Sequence, residues 1–213
     1  WFGNSLNISE LKIFSFINNN DFTNYLDKIL LNPTGALGEV SVLALIAGGI
    51  YLLLKNRISW HIPTALFSTV FIVSLFVKEA EISLGGLMLA GIFMATDMPT
   101  SPTYSWGKFY YGVMMGLTMA IFWKLGIQFE ALSYSIIILN IFSKKINKVF
   151  RAVVFGYKLN LIKKIFGILR ISLLIFVFDV IWTFLHRFEL IPYAVFIYII
   201  VMSIKLISSK KII

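Results

Sequence analysis

Ile82-Ser83-Leu84-Gly85-Gly86-Leu87-Met88-Leu89-Ala90-Gly91-Ile92-Phe93-Met94-Ala95-Thr96 runs directly into Asp97-Met98-Pro99-Thr100-Ser101-Pro102-Thr103. The first part is apolar and uncharged, carries three glycines and ends in a turn of hydroxyl side chains, one carboxylate and two prolines. A run of this kind suits a helix in apolar surroundings, where each backbone amide must find its partner within its own segment. At ~1.5 Å per residue, about 15 residues are short for a perpendicular crossing of a ~30 Å hydrocarbon layer. The sequence therefore predicts a tilted, broken or re-entrant helix. One reading is a packing helix lined by glycine that stops at a proline turn. The other is a Gly/Pro-interrupted segment marking a site within a membrane.

Outward from this stretch, apolar runs cover residues 39–54, 62–77, 109–125, 130–143, 167–185 and 190–207, so with 82–96 the sequence predicts seven spans. Hydrophobic residues make up 59% of the chain and charged ones 14%, against the ~45–50% apolar share of soluble domains. The fold class is thus all-α, a polytopic helical membrane protein in contact with the lipid bilayer. Residues 1–38 are more polar, with Asn18 to Asn20 and the breakers Asn32, Pro33, Gly35 and Gly38. They read as an extracytoplasmic segment with one short amphipathic helix around Leu11 to Phe16. The chain opens on Trp1 rather than Met, and the expectation is that an N-terminal portion precedes it.

Zero cysteines exclude a disulfide, a thiolate nucleophile and a Cys-ligated iron–sulfur cluster within this chain. The net charge of +9 sits in short runs between apolar stretches. That pattern excludes nucleic acid as the partner and reads as a topology signal, because cytoplasmic loops are enriched in Lys and Arg. With Glu39 outside, alternating spans place Lys55, Arg57, Lys108, the run from Lys144 to Arg170, and Lys205, Lys210 and Lys211 on the cytoplasmic side. These are fourteen of the nineteen cations. Residues 1–38 then face the exterior, and the C-terminus is cytoplasmic. Gly112 and Gly116 form a GxxxG pair in the fourth span, a signal for close helix packing.

Two groups of motifs carry a family resemblance. Gly35-Ala36-Leu37-Gly38-Glu39-Val40-Ser41 is followed by Leu45-Ile46-Ala47-Gly48-Gly49-Ile50-Tyr51 and Ile58-Ser59-Trp60-His61-Ile62-Pro63. Gly85-Gly86-Leu87-Met88 is followed by Phe93-Met94-Ala95-Thr96-Asp97, Thr100-Ser101-Pro102-Thr103 and Gly107-Lys108-Phe109-Tyr110-Tyr111-Gly112, then Phe129-Glu130-Ala131. In order and spacing, to about Leu159, this resembles the second half of the NqrB and RnfD membrane proteins. The resemblance implies an extracytoplasmic segment over 1–38, a five-helix repeat over 39–159, and an additional two-helix hairpin over 160–213. It further implies a bacterial inner-membrane component, partnered by other membrane subunits, that couples NADH or ferredoxin oxidation to Na+ or H+ translocation. In such proteins an FMN is joined by a phosphoester to a threonine on the exterior side. Here the corresponding position holds Ser9, the candidate cofactor-binding residue, with Thr100 and Ser101 as further candidates. Loss of the threonine implies non-covalent flavin or none on this chain, or an acceptor before Trp1. It also gives weight to a redox-inactive solute or ion channel of the same fold; an assembly subunit is a third reading.

Three carboxylates are candidates for an ion path. Asp97 stands at a helix C-terminus, already a negative pole, and so wants a cation. That cation is either a translocated ion shared with the hydroxyls of Thr96 or Thr100, or Lys108; alternatively Asp97 caps the proline turn. Glu39 begins a span, where it complements the positive helix end or acts as an entry ligand. Asp179 sits in the middle of an apolar span, a costly position that marks a functional candidate. Trp182, Thr183 and His186 follow it on the same helix face, as a relay or as a hydrogen-bonded docking surface for a partner. His61 and His186 fall on opposite sides, and no metal-binding motif is present.

Overall fold

The computed structural model describes residues 41–76, 84–127, 130–151, 161–193, 195–197, 199–200 and 203. The helices are α1 (Val42–Leu54), α2 (His61–Phe76), α3 (Leu84–Leu89, continuing as a π-helix over Ala90–Met94), α4 (Ser105–Lys124), α5 (Ala131–Phe150) and α6 (Leu161–Arg187). Residues 191–193, 195–197 and 199–200 are again helical, and no strand occurs among the described residues. The polar segment 1–38, the amphipathic helix expected around Leu11 to Phe16, Ser9 and Glu39 lie outside the described residues.

Local chemistry sets the ends of these helices. Ser41 caps α1, its Oγ accepting from Ala44 N at 3.2 Å. Pro63 falls in the first turn of α2, where a missing N–H costs no helical bond. Three helices close with the same paired C-terminal bonds. After α1, Asn56 N donates to Leu53 O and Arg57 N to Leu52 O. After α4, Gly126 N donates to Trp123 O and Ile127 N to Phe122 O, and after α6 Glu189 N donates to His186 O and Leu190 N to Leu185 O. Each motif needs one left-handed residue, and Asn56, Gly126 and Glu189 supply it at φ 53°, 89° and 54°. Gly126 adopts this at no steric cost, and the other two hold it with side chains.

The bundle is organised around α2 and α4, which run parallel. A Cβ on Gly112 would lie 2.7 Å from Ile62 O, and one on Gly116 would lie 2.7 Å from the Thr69 Cβ. The GxxxG pair thus marks the close backbone approach that the sequence led us to expect. Gly91 is pressed against Leu66 and Phe67 of α2, and Gly49 of α1 against Ile92. The third segment is therefore a packing helix that changes hydrogen-bond register, from Ala90 onward, before its proline turn. Ala95 N donates to Ala90 O at 2.7 Å, a five-residue step.

α5 covers α4 with Tyr134, Ile138, Leu139, Phe142 and Ile146, and one hydrophobic core continues into α6 through Ile171 and Ile175. Tyr111, fully buried, donates from its hydroxyl to Asn140 Oδ1 at 2.6 Å, tying α4 to α5 inside that core.

Two expectations are corrected. The span at 130–143 extends as α5 to Phe150, and the one at 167–185 begins at Leu161 in α6. Lys144, Lys145, Lys148, Lys163 and Lys164, placed in a loop by the charge reading, stand instead on helix ends. Two of them reach aromatic neighbours, with Lys145 Nζ 5.2 Å from the Phe142 ring centre and Lys164 Nζ 5.5 Å from that of Phe150. The seven spans are also not uniform. Among the described residues one helix, Leu161–Arg187, is long and apolar enough to cross a membrane, while Val42–Leu54, His61–Phe76 and Gly85–Met94 are apolar but shorter. α4 and α5 reach 20 residues each but carry lysines and other polar side chains.

The outer faces are apolar. Phe71, Ile72, Leu75 and Phe76 on α2, and Leu173, Phe176, Val180, Ile181 and Phe184 on α6, are all exposed. Contiguous exposed apolar surface of this extent marks contact with lipid or another protein.

The glycine contact yields a direct expectation. Gly112→Ala is expected to lower stability by about 1–3 kcal/mol through overpacking against α2 backbone. Gly107→Ala, whose Cβ would meet Pro102, Phe150 and Ile146 at 3.5–3.6 Å, is expected to leave the melting temperature in detergent unchanged. Equal losses in the two variants would argue against the close α2–α4 approach. Likewise Tyr111→Phe is expected to cost about 1–3 kcal/mol by stranding Asn140 Oδ1, and adding Asn140→Leu should restore much of the loss in a double-variant cycle.

Candidate functional site

α6 carries a row of polar side chains along its inward face, and the facing helices determine what each can do. Ser172 Oγ donates to Ile168 O at 3.1 Å, so its one proton is committed. Tyr110 of α4, 2.6 Å away, must therefore be the donor to Ser172 Oγ. Two turns on, Asp179 is completely buried, and neither carboxylate oxygen has a hydrogen-bond partner. Thr183, also buried, turns its hydroxyl back to Asp179 O at 2.8 Å, which satisfies the threonine and leaves the carboxylate as it was. Trp182 Nε1 is likewise buried and unpartnered.

At the C-terminal end of α6 the row closes on α5. Tyr134 donates to Glu130 Oε2 at 2.5 Å, and His186 Nδ1 lies 3.1 Å from the same oxygen and 3.2 Å from Tyr134 Oη. The Tyr134 ring meets those of Trp182 and His186 edge-on, both at 5.7 Å. Glu130 and His186 are partly exposed, so their attraction is screened and positions the two helix ends more than it stabilises them. From Ser172 to His186 the row spans about 21 Å along the helix.

Asp179 opens on an apolar groove of about 560 Å³ between α2, α4 and α6, with Val73, Phe76, Met114, Thr118 and Lys124 among its walls. Thr118 donates to Met115 O at 2.9 Å, so it too offers the groove only lone pairs. Asp179 is thus turned into its own bundle; of the two readings, relay or docking surface, the carboxylate's burial favours the first.

The structure brings together only part of what the sequence nominated. Asp97 is exposed in the turn after α3; Thr100 Oγ1 donates to its Oδ2 at 3.2 Å, and Ser101 N to its carbonyl at 2.9 Å. Thr96 spends its hydroxyl on Ile92 O at 2.5 Å. Among the described residues Lys108 forms no ion pair with Asp97. Of the alternatives for Asp97, the turn-capping one is what its contacts support. The turn is fixed further by Thr103, whose N and Oγ1 both donate to Asn147 Oδ1 at 2.8 and 3.1 Å. Asp97 and Asp179 lie towards opposite ends of the bundle, so they form no common site.

Thr100 and Ser101, the further cofactor candidates, lie in the same turn as Asp97. Ser101 is buried, and the Thr100 hydroxyl already serves Asp97, whose negative charge opposes a phosphate. Among the described residues no group of three His, Asp or Glu side chains converges to hold a metal.

Sequence reading missed Glu130, Tyr134, Tyr110, Asn140 and Ser172 as site residues. The signals were present: Glu130 and Tyr134 are four residues apart on a helix face, and Asn140 is a lone amide in an isoleucine run.

Comparison with known proteins extends these observations. The chain is 38% identical over 125 residues to the D subunit of the Na(+)-translocating ferredoxin:NAD(+) oxidoreductase complex of Acetobacterium woodii, covering 57% of this chain and 39% of that protein. It is 32% identical over 132 residues to the D subunit of the proton-translocating ferredoxin:NAD(+) oxidoreductase complex of Clostridium ljungdahlii, covering 57% of this chain and 40% of that one. With the D subunit of the ion-translocating oxidoreductase complex of Stutzerimonas stutzeri the identity is 28% over 132 residues, covering 57% and 37%. The chain thus spans about two fifths of the length of the curated relatives it matches. α6 and its polar row fall beyond the residues that match the family profile, which are 4–156. Because that match takes in well over half of the chain, the protein belongs to the NQR2, RnfD, RnfE family.

Proposed function

We propose that this chain is a membrane-embedded component of an ion-translocating oxidoreductase complex, coupling ferredoxin or NADH oxidation to movement of Na+ or H+. The observation that carries the reading is its similarity, over the family region, to the D subunits of ferredoxin:NAD(+) oxidoreductase complexes. The partners are then the other membrane subunits of such a complex. The outward apolar faces of α2 and α6 supply the lipid-facing surface that the reading needs.

Charge orients the protein. Lys108 near the start of α4, Lys144, Lys145, Lys148 and Arg151 at the end of α5, and Lys163 and Lys164 at the start of α6 share one end of the bundle, while Lys124 and Arg187 are at the other. That basic end is the cytoplasmic one by the bias of Lys and Arg toward cytoplasmic loops. Residues 1–38 then lie on the exterior, and the C-terminus in the cytoplasm.

Tagged full-length protein is expected to resist alkaline extraction from membranes and to co-purify with the other subunits, and its deletion is expected to abolish ferredoxin- or NADH-driven ion uptake into vesicles. A chain that extracts as a peripheral protein, or whose loss leaves driven uptake unchanged, would remove the assignment. Reporters inserted within residues 55–59 or after Ile213 are expected to read cytoplasmic, and one near Asn19 exterior; reversal at two of these sites would invert the orientation.

Asp97→Asn is expected to lower the melting temperature while leaving turnover per assembled complex unchanged, since the contacts of Asp97 are those of a turn. A selective loss of Na+- or H+-dependent turnover would instead make Asp97 an ion ligand.

For flavin, we propose that residues 1–213 carry no covalent FMN, with Ser9 the one credible acceptor. On a denaturing gel the chain is expected to give no fluorescent band at its own mass. A band that disappears in Ser9→Ala would establish a serine-linked flavin.

A further inference from the structure

A buried carboxylate with both oxygens unpartnered is the least comfortable group in this bundle. Removing an ionised carboxylate from water without a partner is so unfavourable that the group acquires a counter-charge or takes up a proton. None of the neighbours supplies a hydrogen bond. Ser172 and Thr118, which line the same groove, donate to Ile168 O and Met115 O. α2 contributes the apolar Val73 and Phe76 to the groove, and α4 contributes one charged side chain, Lys124. On the α5 side the titratable groups are Tyr134 and Glu130, both engaged with His186 nearly two turns further along α6. Around Asp179, then, the groove is almost wholly apolar and gives the carboxylate no donor.

We propose that Asp179 is a proton-exchanging carboxyl group beside the α2–α4–α6 groove, which takes up and releases a proton. The carboxylate supplies the charge. The apolar walls leave no ring of oxygen ligands for a metal cation, since Ser172 stands two turns from Asp179 along α6. Asp179 lines this groove although its carboxylate oxygens are themselves covered, with Lys124 at the wall as the competing positive charge. The site lies beyond the family match, so it is a property of α6 in this chain. The proposal rests on the membrane-complex reading above and places one ion-binding step within it.

The test labels the full chain in its own membranes with dicyclohexylcarbodiimide, a lipid-soluble reagent that adds to protonated carboxyl groups, and maps the adduct by peptide mass spectrometry. The adduct is expected on Asp179, with a rate that falls about tenfold per pH unit once the group titrates. Indifference to added sodium at fixed pH is expected; slowing by sodium would make a metal cation the occupant and overturn the proposal. No adduct on Asp179, or an adduct formed at a rate independent of pH, would overturn the proposal. So would an adduct that appears only in Lys124→Met, because Lys124 would then be the permanent counter-charge. Labelling uses the native chain and does not depend on whether Asp179→Asn folds. A chain that labels as expected but fails to co-purify with other subunits would overturn the complex assignment and leave the site standing.

Discussion

The arrangement of this bundle depends on two α-carbons without side chains. Gly112 and Gly116 let α4 lie against α2 so closely that an added methyl would meet the Ile62 carbonyl and the Thr69 side chain. Without a hydrophobic driving force between helices in lipid, such contact relies on dispersion and backbone proximity, which only small residues permit. The pair fixes α2 and α4 parallel, leaves α3 to fill the side through Gly91, and presents the opposite flank of α4 to α5 and α6.

That flank carries polar groups in an otherwise apolar interior, and each has one of two fates. Tyr110, Tyr111, Asn140 and Ser172 satisfy one another across helix boundaries, which fixes the rotation of α5 and α6 about their axes. Asp179 and Trp182 remain without partners in the same interior. Paired groups hold the structure, whereas an unpaired carboxylate beside a groove is available to something that enters it. The ordering of the row, from Ser172 through Asp179 to His186, is a consequence of helical periodicity on α6.

The helical class and the position of most helices were legible because long apolar runs and glycine spacing are local signals. The GxxxG pair, the proline turn after Thr96 and the inward stripe from Asp179 to His186 could each be read from spacing alone. Helix ends near Lys144 and Lys163 were not, because lysine was taken as a loop signal although its stem packs readily along a helix end. Thr100, three residues on, was a local partner for Asp97 that the sequence offered, whereas the surroundings of Asp179 were illegible, because groove walls contributed by other helices are a tertiary fact. The Glu130–Tyr134–His186 cluster joins residues 52 or more positions apart, with only the Glu130–Tyr134 step visible locally.

The central claim is that α6 docks on α4 and α5 through one narrow stripe containing Asp179 and turns its remaining faces outward. The chain has no cysteine, so single cysteines placed along residues 171–184 and carrying nitroxide labels would report oxygen accessibility in the membrane without background. Accessibility is expected to be lowest at Ile171, Ile175, Asp179 and Thr183 and highest at Leu173, Phe176, Val180 and Phe184. Uniform accessibility along the helix, or minima displaced to the Phe176–Val180 face, would contradict the account.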